Sequence, residues 1–368
     1  MRRLLIFILV SCICFSHVSA LADNASSAIL INGDTKEILF EKQAYDKKFP
    51  ASTTKIMTLI LIFEALNNNE LKLSDSITAS SYASSMGGSQ IYLKEGETMI
   101  VEDLLKSIIL ASANDACVVF AEYLCGSVDE FVSKMNRKAK TLKLKNTNFT
   151  NCTGLHDDNH YSCAYDLGIM ASYLLEIGND KLLQYTTLKE EYIRNGDFWL
   201  VNTNKLLASD LSITGLKTGY TKEAKYCLVS TASKNNQTMI AVVLDEPKAK
   251  IRNEEAKALL NYGFNLYQPH TLFQKGEIIE TIDLPYMKEK KVDLICKEDI
   301  VIPLRKENNE VPKYSIEYLN TTSFKKDDCI ARIVCEGLSF DLYASNNATP
   351  LNLVERVYEI FLNFCKGR

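Results

Sequence analysis

Pro50-Ala51-Ser52-Thr53-Thr54-Lys55-Ile56-Met57-Thr58 is the stretch from which the rest of the chain can be read. An apolar run follows it, Ile56, Met57, Leu59, Ile60, Leu61 and Ile62. Pro50 stops any upstream helix, so a helix is expected to begin at Ser52 and to end near Asn67-Asn68-Asn69. Ser52 and Lys55 are three positions apart, which places both side chains on one helical face. Ser52 would sit at the positive end of the helix dipole, where developing negative charge is stabilised. A serine hydroxyl is a weak nucleophile until a neighbour takes its proton, and a lysine held neutral by burial can do so. Alone, however, Ser-x-x-Lys describes an ordinary capped helix start.

Two later segments change that reading. Ser112-Ala113-Asn114 is a polar break between the helical runs Val101–Leu110 and Ala116–Leu124. It presents a hydroxyl able to relay a proton and an amide able to hold a substrate or orient Lys55. Thr214-Gly215-Leu216-Lys217-Thr218-Gly219-Tyr220 lies just before a predicted strand hairpin. Lys217 supplies a fixed positive charge, Thr218 a hydroxyl, and Gly219 room for close approach to the backbone. A strand edge there can pair with an extended peptide and offer an N–H to an oxyanion.

Around these segments the chain reads as helices bracketed by strands. Ala28–Ile31 and Glu37–Phe40 form a hairpin about Asn32-Gly33-Asp34. Ser80–Glu97 is a Ser/Gly-rich loop, Ser127-Val128-Asp129-Glu130 resembles a capped helix start, and Tyr165–Ile177 is helical. Tyr226–Ala232 and Thr238–Leu244 flank Lys234-Asn235-Asn236 as antiparallel strands, and Glu254–Tyr262 is helical. This order implies an α/β (α+β) domain with a largely antiparallel sheet. From about Tyr267, short β-prone runs at 277–282, 291–294, 299–302 and 330–334 alternate with charged turns, which implies a small all-β domain. Asn352–Lys366 is an amphipathic helix, able either to pack on that domain or to lie in a membrane interface.

The chain has 368 residues, ample for two domains, and its net charge of -4 with no basic cluster argues against nucleic acid. Arg2 and Arg3 before the apolar run Leu4–Phe15, then Ala20-Leu21-Ala22, read as an export leader. Leu9-Val10-Ser11-Cys12 loosely fits a lipidation site, though the apolar run before it is short. Of 11 cysteines, most sit in apolar stretches and none forms a CxxC pair, so they read as buried thiols. The resulting divisions are 1–22 leader, 23–266 catalytic domain, 267–350 β-rich domain and 351–368 amphipathic helix.

Taken together, the three segments resemble the signature of penicillin-binding proteins and serine β-lactamases. The flanks Pro50–Thr58, Ser112–Cys117, Thr153-Gly154-Leu155, His160–Leu167 and Leu216–Thr221 look like low-molecular-mass DD-carboxypeptidases, over roughly residues 25 to 350. The resemblance implies a transpeptidase-like catalytic domain and a serine-type D-Ala-D-Ala carboxypeptidase that trims peptidoglycan stem peptides without a cofactor or metal. It implies that Ser52 is the acylated nucleophile and Lys55 its base. Ser112 and Asn114 would move protons and hold substrate. Lys217 and Thr218 would bind the terminal carboxylate beside Gly219, and the N–H groups of Ser52 and Tyr220 would form the oxyanion hole. Arg252 stands where a carboxylate-holding arginine is found in family members. β-Lactams would acylate Ser52. The expected location is the outer face of the bacterial cytoplasmic membrane, held there by the terminal helix.

Three alternatives stand beside this reading. A serine β-lactamase would need a carboxylate placed to activate water. A zinc peptidase would use His156 and His160 but needs a third ligand. A non-catalytic wall-binding protein would have no use for an intact Ser52 and Lys55. One departure from the family pattern is Ala224-Lys225, where relatives commonly read Ala-Gly.

Overall fold

The computed structural model describes residues 21 to 365, apart from 211, 308, 309, 311, 320 to 322 and 336. Residues 1 to 20 of the expected leader, Cys12 among them, lie outside the described residues. The chain forms two units: one runs to Phe264 without Asn235–Gln237, and the other comprises Asn235–Gln237 and the chain from Asn265.

In the first unit, β1 (Ser27–Asn32) and β2 (Ile38–Lys42) pair antiparallel. Their connection is longer than a tight turn, because the Asn32 side chain accepts from the N–H groups of both Asp34 and Thr35. After a 3₁₀ turn at Ala51–Thr54 comes α1 (Lys55–Asn67), with Ile56 through Phe63 buried. A helix apolar on nearly every side belongs inside the domain, and α1 is its central rod. Phe63 is fully buried, and its truncation to Ala should cost about 3–5 kcal/mol.

Around α1 pack α2 (Val101–Ala111), α3 (Asn114–Cys125), α4 (Val128–Thr141) and α5 (Ala164–Thr186). The expected cap on α4 is present, with Ser127 Oγ accepting from Glu130 N. The helix expected at 165–177 continues to Thr186 through a break at Asn179.

The sheet adds β3 (Ile213–Thr221), β4 (Lys225–Lys234) and β5 (Gln237–Glu246) in the order β2-β1-β5-β4-β3. Asn235 and Asn236, both left-handed, turn β4 into β5, the chemistry a two-residue hairpin requires. The Lys-Thr-Gly segment is therefore itself the edge strand β3, not a lead-in to the hairpin. α6 (Ala249–Asn265) closes this part of the chain and is longer than its predicted 254–262 core.

Among the described residues the second unit holds seven strands: β6 (Tyr267–Phe273), β7 (Ile278–Asp283), β8 (Lys291–Ile295), β9 (Ile300–Arg305), β10 (Ser315–Tyr318), β11 (Cys329–Cys335) and β12 (Leu338–Ala344). They form a β6–β9 pair and a sheet in the order β7-β8-β12-β11-β10. Its core is Val292, Leu294, Ile302, Ile330, Ile333 and Leu342. Pro269 and His270 break the apolar alternation of β6, so that strand was not apparent in the pattern, whereas Leu338, Phe340 and Leu342 alternate with Ser339 and Asp341 in β12, a strand signal the reading passed over.

The last helix, α7 (Leu353–Cys365), turns Glu355 and Glu359 onto Lys288 and Lys290. Its apolar residues Leu353, Val354, Val357, Tyr358, Ile360 and Phe361 are 60–79% exposed. Among the described residues no helix is long and apolar enough to cross a membrane.

Candidate active site

Ser52 lies within the 3₁₀ turn, so the expected helix starts three residues later than the sequence pattern suggests. In a 3₁₀ turn residues i and i+3 eclipse, which serves the pair better than an α-turn. Lys55 Nζ stands 3.0 Å from Ser52 Oγ. Its other two contacts are Asn114 Oδ1 and the Thr153 carbonyl, each at 2.7 Å. Both of those atoms can only accept. They take two N–H groups, and the third position of the nitrogen faces the one partner that can also donate, the Ser52 hydroxyl. Lys55 is fully buried, and that burial pushes its ammonium below the ordinary lysine range.

Neighbouring segments lock this arrangement. Asn151 Oδ1 accepts from the N–H groups of Thr153 and Gly154, fixing the loop that presents the Thr153 carbonyl. Thr58 Oγ1 donates to the Cys152 carbonyl. Gly154 has φ +84°, and a Cβ there would fall 1.9 Å from the Ala51 carbonyl oxygen, so only glycine fits. His160 accepts from Thr150 N through Nδ1 and meets Thr54 Oγ1 through Nε2; burial lowers its pKa to about 4, leaving it a neutral clamp. His156 instead lies edge-on against Phe49. The two imidazoles thus serve separate structural contacts, and among the described residues no group of three metal-ligating side chains occurs.

The Ser112-Ala113-Asn114 break is the junction of α2 and α3, with Ser112 left-handed at φ +62°. Asn114 faces two ways: Oδ1 to Lys55, and Nδ2 to the Gly87 carbonyl at 2.7 Å. Its backbone N–H holds the Ser89 carbonyl. Asp115 accepts from the N–H groups of Ile91 and Leu93, tying down the Ser/Gly-rich loop. The sequence pattern showed that loop only as Ser/Gly-rich and did not single out Asp115. Ser112 Oγ is buried and makes no hydrogen bond among the described residues, so a relay through it is not formed in this structure.

The third wall is β3. A Cβ on Gly219 would lie 3.0 Å from both the Pro50 carbonyl oxygen and Ser52 N, which is how closely the strand passes the nucleophile's turn. Lys217 is 1% exposed, and the only hydrogen bond of its ammonium among the described residues is to the Thr218 carbonyl, at 3.1 Å. Burial first, and the Lys55 charge second, press its ammonium well below the usual value. Thr218 Oγ1 bonds Thr203, a contact that the sequence pattern did not indicate. Tyr220 is exposed and stacks on Tyr226 at 4.5 Å. Arg252 lies on α6 with its guanidinium on Asn253 and over Tyr226, close enough to Lys217 for their charges to interact.

Lys225 does not enter the pocket. Its ammonium pairs with Asp245 at 2.7 Å. Its φ of +52° is the left-handed conformation that glycine adopts readily.

A family model described as D-alanyl-D-alanine carboxypeptidase matches residues 16–248. The chain belongs to that family. A second family model, the penicillin-binding protein 5 C-terminal domain, matches residues 267–336. The chain is 45% identical to the D-alanyl-D-alanine carboxypeptidase DacF of Bacillus subtilis over 81% of its own length and 77% of that protein. It is 35% identical to DacA of Escherichia coli over 76% of itself and 71% of the relative. A peptidoglycan synthesis regulatory factor (PBP3) from Streptococcus pneumoniae has a similar solved structure, with TM-score 0.71 and 25% identity, covering 89% of this chain and 99% of that one. Penicillin-binding protein D2 from Listeria monocytogenes, solved in an ampicillin-bound form, matches with TM-score 0.60 and 31% identity over 66% of this chain and 98% of that one.

Proposed function

We infer that this chain is a serine-type D-Ala-D-Ala carboxypeptidase that removes the terminal D-alanine of peptidoglycan stem peptides and is acylated by β-lactams. The observation that carries the reading is Lys55 Nζ, 3.0 Å from Ser52 Oγ with its remaining hydrogen bonds given to two carbonyls.

In this reading the substrate carboxylate meets Lys217 and Thr218 at the entrance to β3. That carboxylate stabilises the Lys217 ammonium, and the nearby positive charge in turn favours neutral Lys55. Ser52 Oγ attacks the carbonyl between the last two D-alanines as its proton passes to Lys55 Nζ. The oxyanion is held by the N–H groups of Ser52 and Tyr220. Collapse breaks the C–N bond, Lys55 returns the proton to the leaving amine, and D-alanine departs. Water then cleaves the Ser52 ester and restores the hydroxyl. The 151–155 loop offers Lys55 a main-chain carbonyl and no carboxylate, which favours slow release of β-lactams over β-lactamase turnover.

Release of D-alanine from a muramyl pentapeptide tests the reading. Folded wild-type protein that is labelled by penicillin yet frees no D-alanine would instead support a non-catalytic wall-binding role.

The proposed location is the outer face of the cytoplasmic membrane. It is supported by the leader-like pattern before residue 23 and by the exposed apolar side of α7, whose acidic side is paired to lysines. Removing the chain from Asn352 onward should move the protein to the soluble fraction with turnover kept; unchanged fractionation would refute the anchor.

A further inference from the structure

The 80–97 loop brings two carbonyls to the catalytic site, that of Gly87 to the Asn114 side chain and that of Ser89 to the Asn114 N–H. Its base is closed by two backbone bonds, Ala79 N to the Glu97 carbonyl and Gly96 N to the Ala79 carbonyl. From 85 to 97 the chain forms no helix or strand, so its backbone groups must be held by others. On the inner side Asp115 accepts from the N–H groups of Ile91 and Leu93. On the outer side stands Arg194, at the tip of a hairpin formed by Glu190–Ile193 and Phe198–Val201. Its Nη1 donates to the Ile91 carbonyl at 2.8 Å and its Nε to Glu97 Oε1 at 2.7 Å. We propose that Arg194 is a positioning residue for acylation, clamping the loop from outside so that Asn114 stays against Lys55.

The contacts form a clamp with two jaws. Ile91 is held through its N–H by a carboxylate on the helix that carries Asn114, and through its carbonyl by a guanidinium on the hairpin. A guanidinium presents its donors as a rigid fork, so two acceptors at once fix the direction of the loop as well as its distance. Arg194 is itself braced. Its N–H meets Asp103 Oδ2 in the first turn of α2 at 3.4 Å, and its guanidinium lies 5.1 Å from the Phe198 ring. The other neighbour of that ring is Tyr92, between the two residues that Asp115 holds, at 6.4 Å. The hairpin tip is left-handed at Arg194 and Asn195, with φ +54° and +55°. Residues with side chains adopt that conformation rarely, and here it leaves Arg194 turned back onto the loop.

The proposal rests on the carboxypeptidase reading, because it assigns Arg194 to the step in which Lys55 takes the Ser52 proton. Among the described residues Arg194 makes no hydrogen bond to Ser52, Lys55, Asn114 or Lys217, so it acts through the loop. Without it the Ile91 carbonyl and Glu97 lose a charged donor, and the segment bearing Gly87 and Ser89 is held from one side only. Loop and amide are in close contact: a Cβ on Gly88 would fall 2.8 Å from Asn114 Nδ2. A loop that shifts therefore loosens Asn114, and with it one of the two carbonyl acceptors that orient Lys55.

A double-mutant cycle on the rate of Ser52 acylation by penicillin tests the clamp. Arg194→Ala should slow acylation about fivefold, and Arg194→Gln, which keeps the volume and loses the fork, by about as much. In an Asn114→Ala background the same substitutions should cost less than about twofold, because the amide through which they act is gone. Circular dichroism and the thermal midpoint show which variants are folded; should Arg194→Ala fail to fold, Arg194→Gln carries the cycle. A purely structural arginine would lower the midpoint and leave acylation alone. An unchanged rate in the folded single variants, or an equal loss in both backgrounds, would overturn the positioning role while leaving the carboxypeptidase reading in place. Folded wild-type protein that penicillin does not acylate would overturn that reading, and the clamp's catalytic role with it.

Discussion

Lys55 and Lys217 stand close enough for their charges to interact, and both are almost wholly shut from water, yet their surroundings differ. Lys55 has two carbonyl acceptors and a serine hydroxyl. Lys217 has, among the described residues, only the carbonyl of its own neighbour. The first environment is complete without substrate and arranges a nitrogen to take a proton. The second leaves a buried amine short of acceptors, its charged form disfavoured until a carboxylate arrives. Residue type alone does not assign a lysine to base or to anion binding; the atoms around it do.

Removing each lysine should break the contrast in a different way. Lys55→Ala should lower Ser52 acylation by penicillin about 10³-fold, the scale of a lost general base, with the fold retained by circular dichroism. Acylation at the normal rate would remove Lys55 from the base role. Ser52→Ala should abolish labelling altogether. Lys217→Ala should act mainly through KM for substrates bearing a free carboxylate. The expected loss is about 10- to 100-fold, as for a lost charge-assisted hydrogen bond. A substrate amidated at that carboxylate should lose far less, and equal losses would show that Lys217 does not meet it. Asn114→Ala should have a smaller effect, about tenfold in acylation, because it frees Lys55 on one side and unties Gly87 on the other. An unaltered rate would mean that the Thr153 carbonyl orients Lys55 unaided.

A buried acid remote in function from the pocket supplies the mildest case. Glu246 is fully buried against Glu255, which holds the N–H groups of Asn24 and Ala25. Burial, then the Glu255 carboxylate, raise Glu246 from 4.5 to about 9. The native state keeps a proton there that the unfolded chain loses. This contribution is therefore fully present below about pH 4.5 and lost progressively as pH rises to about 9. Glu246→Gln keeps a donor toward Glu255 and removes the titration. Its thermal midpoint should decline less than wild type's between pH 5 and 9, with turnover unchanged. Parallel curves would place the proton elsewhere.

Much of the catalytic half was legible because its chemistry resides in side chains at fixed spacing. Ser52, Lys55, Asn114 and Lys217 were nameable from three short segments; the structure joins the first three by hydrogen bonds and sets Lys217 near enough for its charge to reach Lys55. What escaped the pattern is carried by main-chain atoms and packing. The Thr153 carbonyl has no residue signature, and Gly154 is required only because the Ala51 carbonyl lies where its Cβ would be. Asp115 read only as the end of the polar break before Ala116, whereas it anchors a loop two dozen residues upstream. The edge strand β3 was hidden because Gly215, Lys217 and Gly219 interrupt the apolar alternation by which strands are recognised. Lys225 stood out only as a departure from the family pattern, and nothing in its spacing showed that its ammonium pairs with Asp245.

The central claim is that Lys55 is uncharged when Ser52 reacts. Titrating its side chain by ¹³C–¹⁵N NMR, with the signal assigned by its loss in Lys55→Arg, measures this directly. The expected result is an ionisation clearly below 10.5 that coincides with the rising limb of the acylation rate against pH. A Lys55 that stays protonated through the pH range in which acylation reaches its maximum would contradict it.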